Sequence, residues 1–145
     1  MADRTRGMKF SVGYPFAHAD AFREAVIRHG TAVEEVYFAW PDVPSGRMSI
    51  HDRAEAEQAA ATLLRDLSSF RALGLRLNCL FNAACHGAQA LSTELAAAVT
   101  GRLGHLGAQG LMPEVVTTAS PFIASVIKGA FPDIDVRASV NMRIG

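Results

Sequence analysis

The sequence predicts an α/β protein: five parallel strands alternating with four helices, as half of a TIM-like (β/α)8 barrel. Three observations carry this. Segments alternating at period two and segments with helical stripes follow one another as β-α-β-α-β-α-β-α-β, an order that implies a parallel sheet with right-handed crossovers. The first, third and fifth strands each have one polar-rich face, whereas central strands of an open parallel sheet are apolar on both. In a barrel, one strand face packs on helices and the other looks inward, where its upper layer can be polar and functional. Finally, the sequence ends a few residues after the fifth strand, with no helix to cover it. A full barrel takes about 250 residues, so 145 residues would supply four β/α units and a fifth strand. A small doubly wound sheet is the alternative.

Each element has its own signal. Met8 to Tyr14 alternates, with Met8, Phe10, Val12 and Tyr14 on one face and Lys9, Ser11 and Gly13 on the other. His18 to His29 is a short helix stopped by Gly30. Val33 to Trp40 is aromatic and β-branched, hence a strand. A loop with two prolines and a glycine follows, and Asp52 with Glu55 marks a capping box. The helix from Arg53 to Leu73 carries the stripe Ala56, Ala60, Leu63, Leu67 and Phe70.

The third strand sets Leu75, Leu77, Cys79 and Phe81 against Arg76, Asn78, Leu80 and Asn82. It leads through a small polar loop into a helix from Ser92 to about Leu106, weakened by Gly101 and Gly104. Val115 to Thr118 is the fourth strand, and Ser120-Pro121 starts the fourth helix. In the fifth strand, Ile134 to Met142, Val136, Ala138, Val140 and Met142 should face the helices while Arg137, Ser139 and Asn141 face inward. Residues 1–7 are expected to be a disordered tail and 8–145 one partial barrel domain.

Composition limits the function. Half of the residues are hydrophobic and 19% are charged, which is globular composition. Lys plus Arg and Asp plus Glu both number 14, so the chain lacks the footprint of a dedicated nucleic-acid binder. With neither a secretory-type start nor an apolar run of spanning length, it reads as cytoplasmic and not membrane-bound. The two cysteines form no CxxC or zinc pattern.

Period-two polar residues on a parallel strand need partners, because an unpaired buried charge is expensive. Arg137, Ser139 and Asn141 therefore propose an anion or carboxylate site, with Asn78, Asn82, Lys9 and Ser11 facing the same space. The competing reading is a structural network in which Arg137 pairs with Glu35 or Asp135. Arg47, beside Gly46 on the loop after the second strand, could clamp a phosphate or carboxylate. Cys85 is a weak nucleophile candidate, since the adjacent His86 points elsewhere and a base must come from another element. Cys79 falls on the apolar face. His18, His29, His51 and His105 lack metal-ligand spacing, so no metal site is read here.

Three segments, VEEVYFAWPDVPSGR, LNCLFNAACHGAQALS and TTASPFIASVIKGAFPDIDVRASVNMRIG, resemble the N-terminal half of U-32 family peptidases, the collagenase-like proteins. The resemblance runs from Phe10 to Gly145 and is best from SPFIA through VRASVNM. It implies a TIM-like barrel and either a peptidase or a partner in oxygen-independent hydroxylation of RNA bases or quinone precursors. In the latter, prephenate is the hydroxyl donor and four cysteines hold a four-iron iron–sulfur cluster, whose region lies largely beyond this sequence. The partners expected are a small anionic ligand or peptide, with self-association or docking to a C-terminal half-barrel. The contrasting function is a non-catalytic half-barrel that assembles with a second chain.

Overall fold

The computed structural model describes residues 7–42, 50–83 and 86–140. Five strands, β1 (Phe10–Gly13), β2 (Val33–Ala39), β3 (Arg76–Phe81), β4 (Val115–Thr118) and β5 (Asp135–Ala138), alternate with four helices. These are α1 (Ala19–Arg28), α2 (Arg53–Ala72), α3 (Thr93–Ala108) and α4 (Pro121–Ala130). The helix starts follow from side-chain caps. Asp52 accepts from the Glu55 amide, Ser92 from Leu95 and Ser120 from Ile123, each satisfying a free first-turn donor. Gly101 and Gly104 lie inside α3 with open space where a Cβ would stand, so they do not break it.

The sheet is parallel throughout, with strand order β1-β2-β3-β4-β5. No reversal of order occurs, which is not a doubly wound arrangement. Sequential neighbours joined by right-handed crossovers place every helix on one face. That face is apolar: Val36, Phe38, Leu77, Cys79, Phe81 and Val116 form one core with Leu63, Leu67, Phe70, Leu103 and Ile127.

Among the described residues the helix-side core holds a carboxylate. Asp66 of α2 is fully buried. Tyr14 Oη donates to its Oδ2 at 2.7 Å, and Arg65 Nε to its Oδ1 at 2.9 Å. Burial and the neighbouring Asp66 carboxylate raise the Tyr14 pKa, so the phenol stays a donor.

One expectation for β5 fails. Val136 packs on the core, but Ala138 is exposed and Val140 is 100% exposed. β5 pairs only with β4 among the described strands, and the helix layer covers it only as far as Val136. Met142 lies outside the described residues.

A carboxylate-centred candidate site on the inner sheet face

The register puts the inward-facing residues of all five strands on one surface. Ser11 aligns with Glu35, Tyr37 with Asn78, and Thr117 with Arg137. Each strand gives at least one side chain to a connected cluster. Glu35, only 5% exposed, is its centre. Ser11 Oγ and Asn78 Nδ2 each donate to Glu35 Oε1 at 3.0 Å. Arg137 Nη1 donates to Oε1 at 3.1 Å and to Oε2 at 2.9 Å. Thr117 Oγ1 extends the chain by donating to Asn78 Oδ1 at 3.0 Å. On the other side of the guanidinium, Arg137 Nε lies 3.6 Å from Asp135 Oδ2.

Burial alone would raise the Glu35 pKa, but the hydrogen bonds from Asn78, Ser11 and Arg137 outweigh it and hold the carboxyl below its ordinary value. An ionised, fully engaged carboxylate is a poor proton acceptor near neutral pH. The arrangement suits positioning: Glu35 fixes the guanidinium through Nη1, while the Arg137 side chain remains 41% exposed. Two acids, Glu35 and Asp135, face this one cation.

Other inward positions lie toward the carboxyl end. Ser139 is buried just past β5, where its amide donates to the Thr118 carbonyl. Asn82 follows β3, and its Oδ1 is buried without a hydrogen-bond partner among the described residues. The Tyr37 ring crosses β1 where Gly13 leaves room: a Cβ there would stand 2.6 Å from Tyr37 Cε2 and 2.9 Å from its Oη.

Of the residues singled out in the sequence, Ser11, Asn78 and Arg137 meet directly. Lys9 does not join them. It precedes β1, where the register shifts, and its ammonium donates to the Thr31 carbonyl. There it lines a cavity of about 580 Å3 at the amino end of the sheet, with Glu34 and Arg76. Arg47, Cys85 and Asn141 lie outside the described residues. The competing network reading named Glu35 or Asp135 as the partner of Arg137, and the structure makes both contacts; sequence reading missed Thr117. The signal for Thr117 was available, since it stands two residues after Val115 on the inward register of β4.

The described residues do not fit an iron–sulfur cluster. Such a cluster takes four thiolates, and the sequence has two cysteines. Cys79 sits in the core facing the helices, where burial pushes its thiol up to about 12. Among the described residues no group of three or more His, Cys, Asp or Glu is placed to hold a metal ion. Nor is any described helix long and apolar enough to cross a membrane.

Fold and cluster together define a singly wound parallel α/β protein with a carboxylate-centred polar face. No protein-family model, curated protein or solved structure matches the chain.

Proposed function

We propose that the chain is the amino-terminal half of a U-32 peptidase-like (β/α)8 barrel, and that its polar sheet face is one wall of a ligand site. Arg137 presents the free part of its guanidinium to an anionic group of a peptide or small molecule. The observation that carries this reading is the direct pairing of β2 with β5 side chains on the face opposite the helices. It supports an inward-curving sheet, as a barrel wall requires. The cluster favours binding and orientation over proton transfer, because Glu35 is held ionised and fully engaged. Peptidase or prephenate-dependent chemistry would need its reactive groups from outside this cluster.

Calorimetric titration of the full chain with prephenate and with the peptide Gly-Pro-Ala tests the reading. Saturable binding of either probe, weakened about tenfold or more in Arg137→Met, is expected for a lost charge-assisted contact. Absence of binding by both, or equal affinity in a folded Arg137→Met variant, overturns it.

A second reading is a non-catalytic half-barrel that assembles with another chain. It is favoured by the outer strands: Phe10 of β1 is 49% exposed, and Val140 beyond β5 is fully exposed. Unpaired strand edges template association. Light scattering that gives a dimer or larger species supports assembly, and a monomer at high concentration counts against it.

A further inference from the structure

The polar face carries an aromatic ring beside its cation. Glu35 and Tyr37 are two residues apart on β2. Their side chains therefore stand on one face, about 7 Å apart along the strand, with Tyr37 nearer the carboxyl end. Glu35 holds the Arg137 guanidinium, so Tyr37 is the next inward residue of β2 above that cation. Gly13 sets where the ring lies. A Cβ at that position would meet Tyr37 Cε2, Cζ and Oη, all within 2.9 Å, so only glycine lets the ring rest across β1 as it does.

Beside that ring is a cavity of about 230 Å3 at the carboxyl ends of β1 and β2, the end of a parallel sheet where ligands bind. Tyr14, Pro15, Phe16 and Ala17 line it from the segment after β1, and Tyr37 and Ala39 from β2. Among the described residues no charged side chain lines it. The Tyr14 hydroxyl is committed to the buried Asp66, and its ring meets Phe16 edge-on at 5.5 Å between centroids. Phe16 and Tyr37 are half-buried and Ala17 is exposed, so the lining is reachable from solvent. Whole-ligand pockets run to about 300–1,000 Å3; this one suits a single apolar group of side-chain size.

The two features call for one molecule. Arg137 is already shared between Glu35 and Asp135, so its charge alone holds an anion weakly, and an apolar contact close by would supply most of the affinity. We infer that this face takes a small amphiphile, its anionic group on Arg137 and its apolar group in the cavity beside Tyr37. The inference rests on the anion-binding role proposed above for Arg137 and adds the class of ligand. Tyr37 is its specificity-determining residue.

The test is calorimetric titration of the full chain with 4-phenylbutyrate, whose ring and carboxylate are joined by three methylenes. Butyrate lacks the ring and 4-phenyl-1-butanol lacks the charge. 4-Phenylbutyrate should bind saturably at one site, with the other two at least tenfold weaker, as expected for loss of a buried ring or of a charge-assisted contact. Tyr37→Ala should bring 4-phenylbutyrate down to about the affinity of butyrate. Ala17→Phe, at an exposed position, should fill the cavity and do the same with an unchanged thermal melt. Equal affinity for butyrate and 4-phenylbutyrate overturns this inference and leaves the Arg137 reading in place. So does undiminished 4-phenylbutyrate binding in both folded variants. Unaltered affinity in Arg137→Met, or no binding of either carboxylate, removes the Arg137 reading and this inference with it.

Discussion

Arg137 Nη1 bonds both carboxylate oxygens of Glu35, although β2 and β5 are separated by β3 and β4. Three strand spacings cover about 14 Å in a flat sheet, and side chains standing perpendicular to such a sheet would not meet. The contact therefore supports a sheet that curves toward its polar face. The sequential strand order, with crossovers of one hand, leaves the opposite face of the sheet to this cluster.

Acid should destabilise the fold through Glu35 and Glu114. At Glu114, burial would raise the pKa, but the Arg71 guanidinium and the Leu77 amide, which donates to Oε2 at 2.9 Å, lower it overall. Both glutamates thus titrate below the ordinary value of 4.5 when folded. A depressed folded pKa contributes stability that is fully present above the unfolded value and lost as pH falls through the folded one. Urea midpoints should hold steady from pH 7 to about 5 and fall below about 4.5. Glu35→Gln and Glu114→Gln together should flatten that fall.

Gly13→Ala should move the Tyr37 ring. The added methyl would overlap the far end of that side chain, which can swing away. The cost should be about 1 kcal/mol, seen as a loss of about 2–4 °C in melting temperature. Tyr37 ring resonances should shift in NMR spectra. Adding Tyr37→Leu should remove most of the penalty.

Cys79 should be chemically silent in the folded chain. Its thiol is fully buried and pushed up to about 12, so almost no thiolate forms at pH 8. In a Cys85→Ser background, Cys79 should react with a disulfide reagent only after denaturant is added, at the rate of an ordinary thiol.

Much of the fold was legible because local chemistry dictates it. Alternation in β3 assigned Asn78 inward and Cys79 outward, and Asp52, Ser92 and Ser120 announced their helices. The exposure of Ala138 and Val140 was not legible, because alternation gives the side a residue faces and not whether a helix reaches far enough to cover it. That Arg137 needs an acid was legible, and Glu35 was one of the two candidates named; which of them it meets, 102 residues away, depends on how the strands assemble and no single strand encodes it. Asp66 was overlooked for a different reason. It falls three residues after Leu63 and four before Phe70, on the buried stripe of α2, and spacing could have flagged it.

The central claim is that the sheet curves so that β2 and β5 touch through Glu35 and Arg137, and a double-mutant cycle measures this most directly. Urea unfolding of the parent chain, Glu35→Gln, Arg137→Met and the double variant gives the coupling free energy. Each single change should destabilise by about 1–3 kcal/mol, because it leaves a partly buried group without its partner. The double variant should fall short of the sum by about 1–2 kcal/mol, as for residues in direct contact. A coupling within about 0.3 kcal/mol of zero, the behaviour of independent sites, would contradict the curved sheet and the ligand wall built on it.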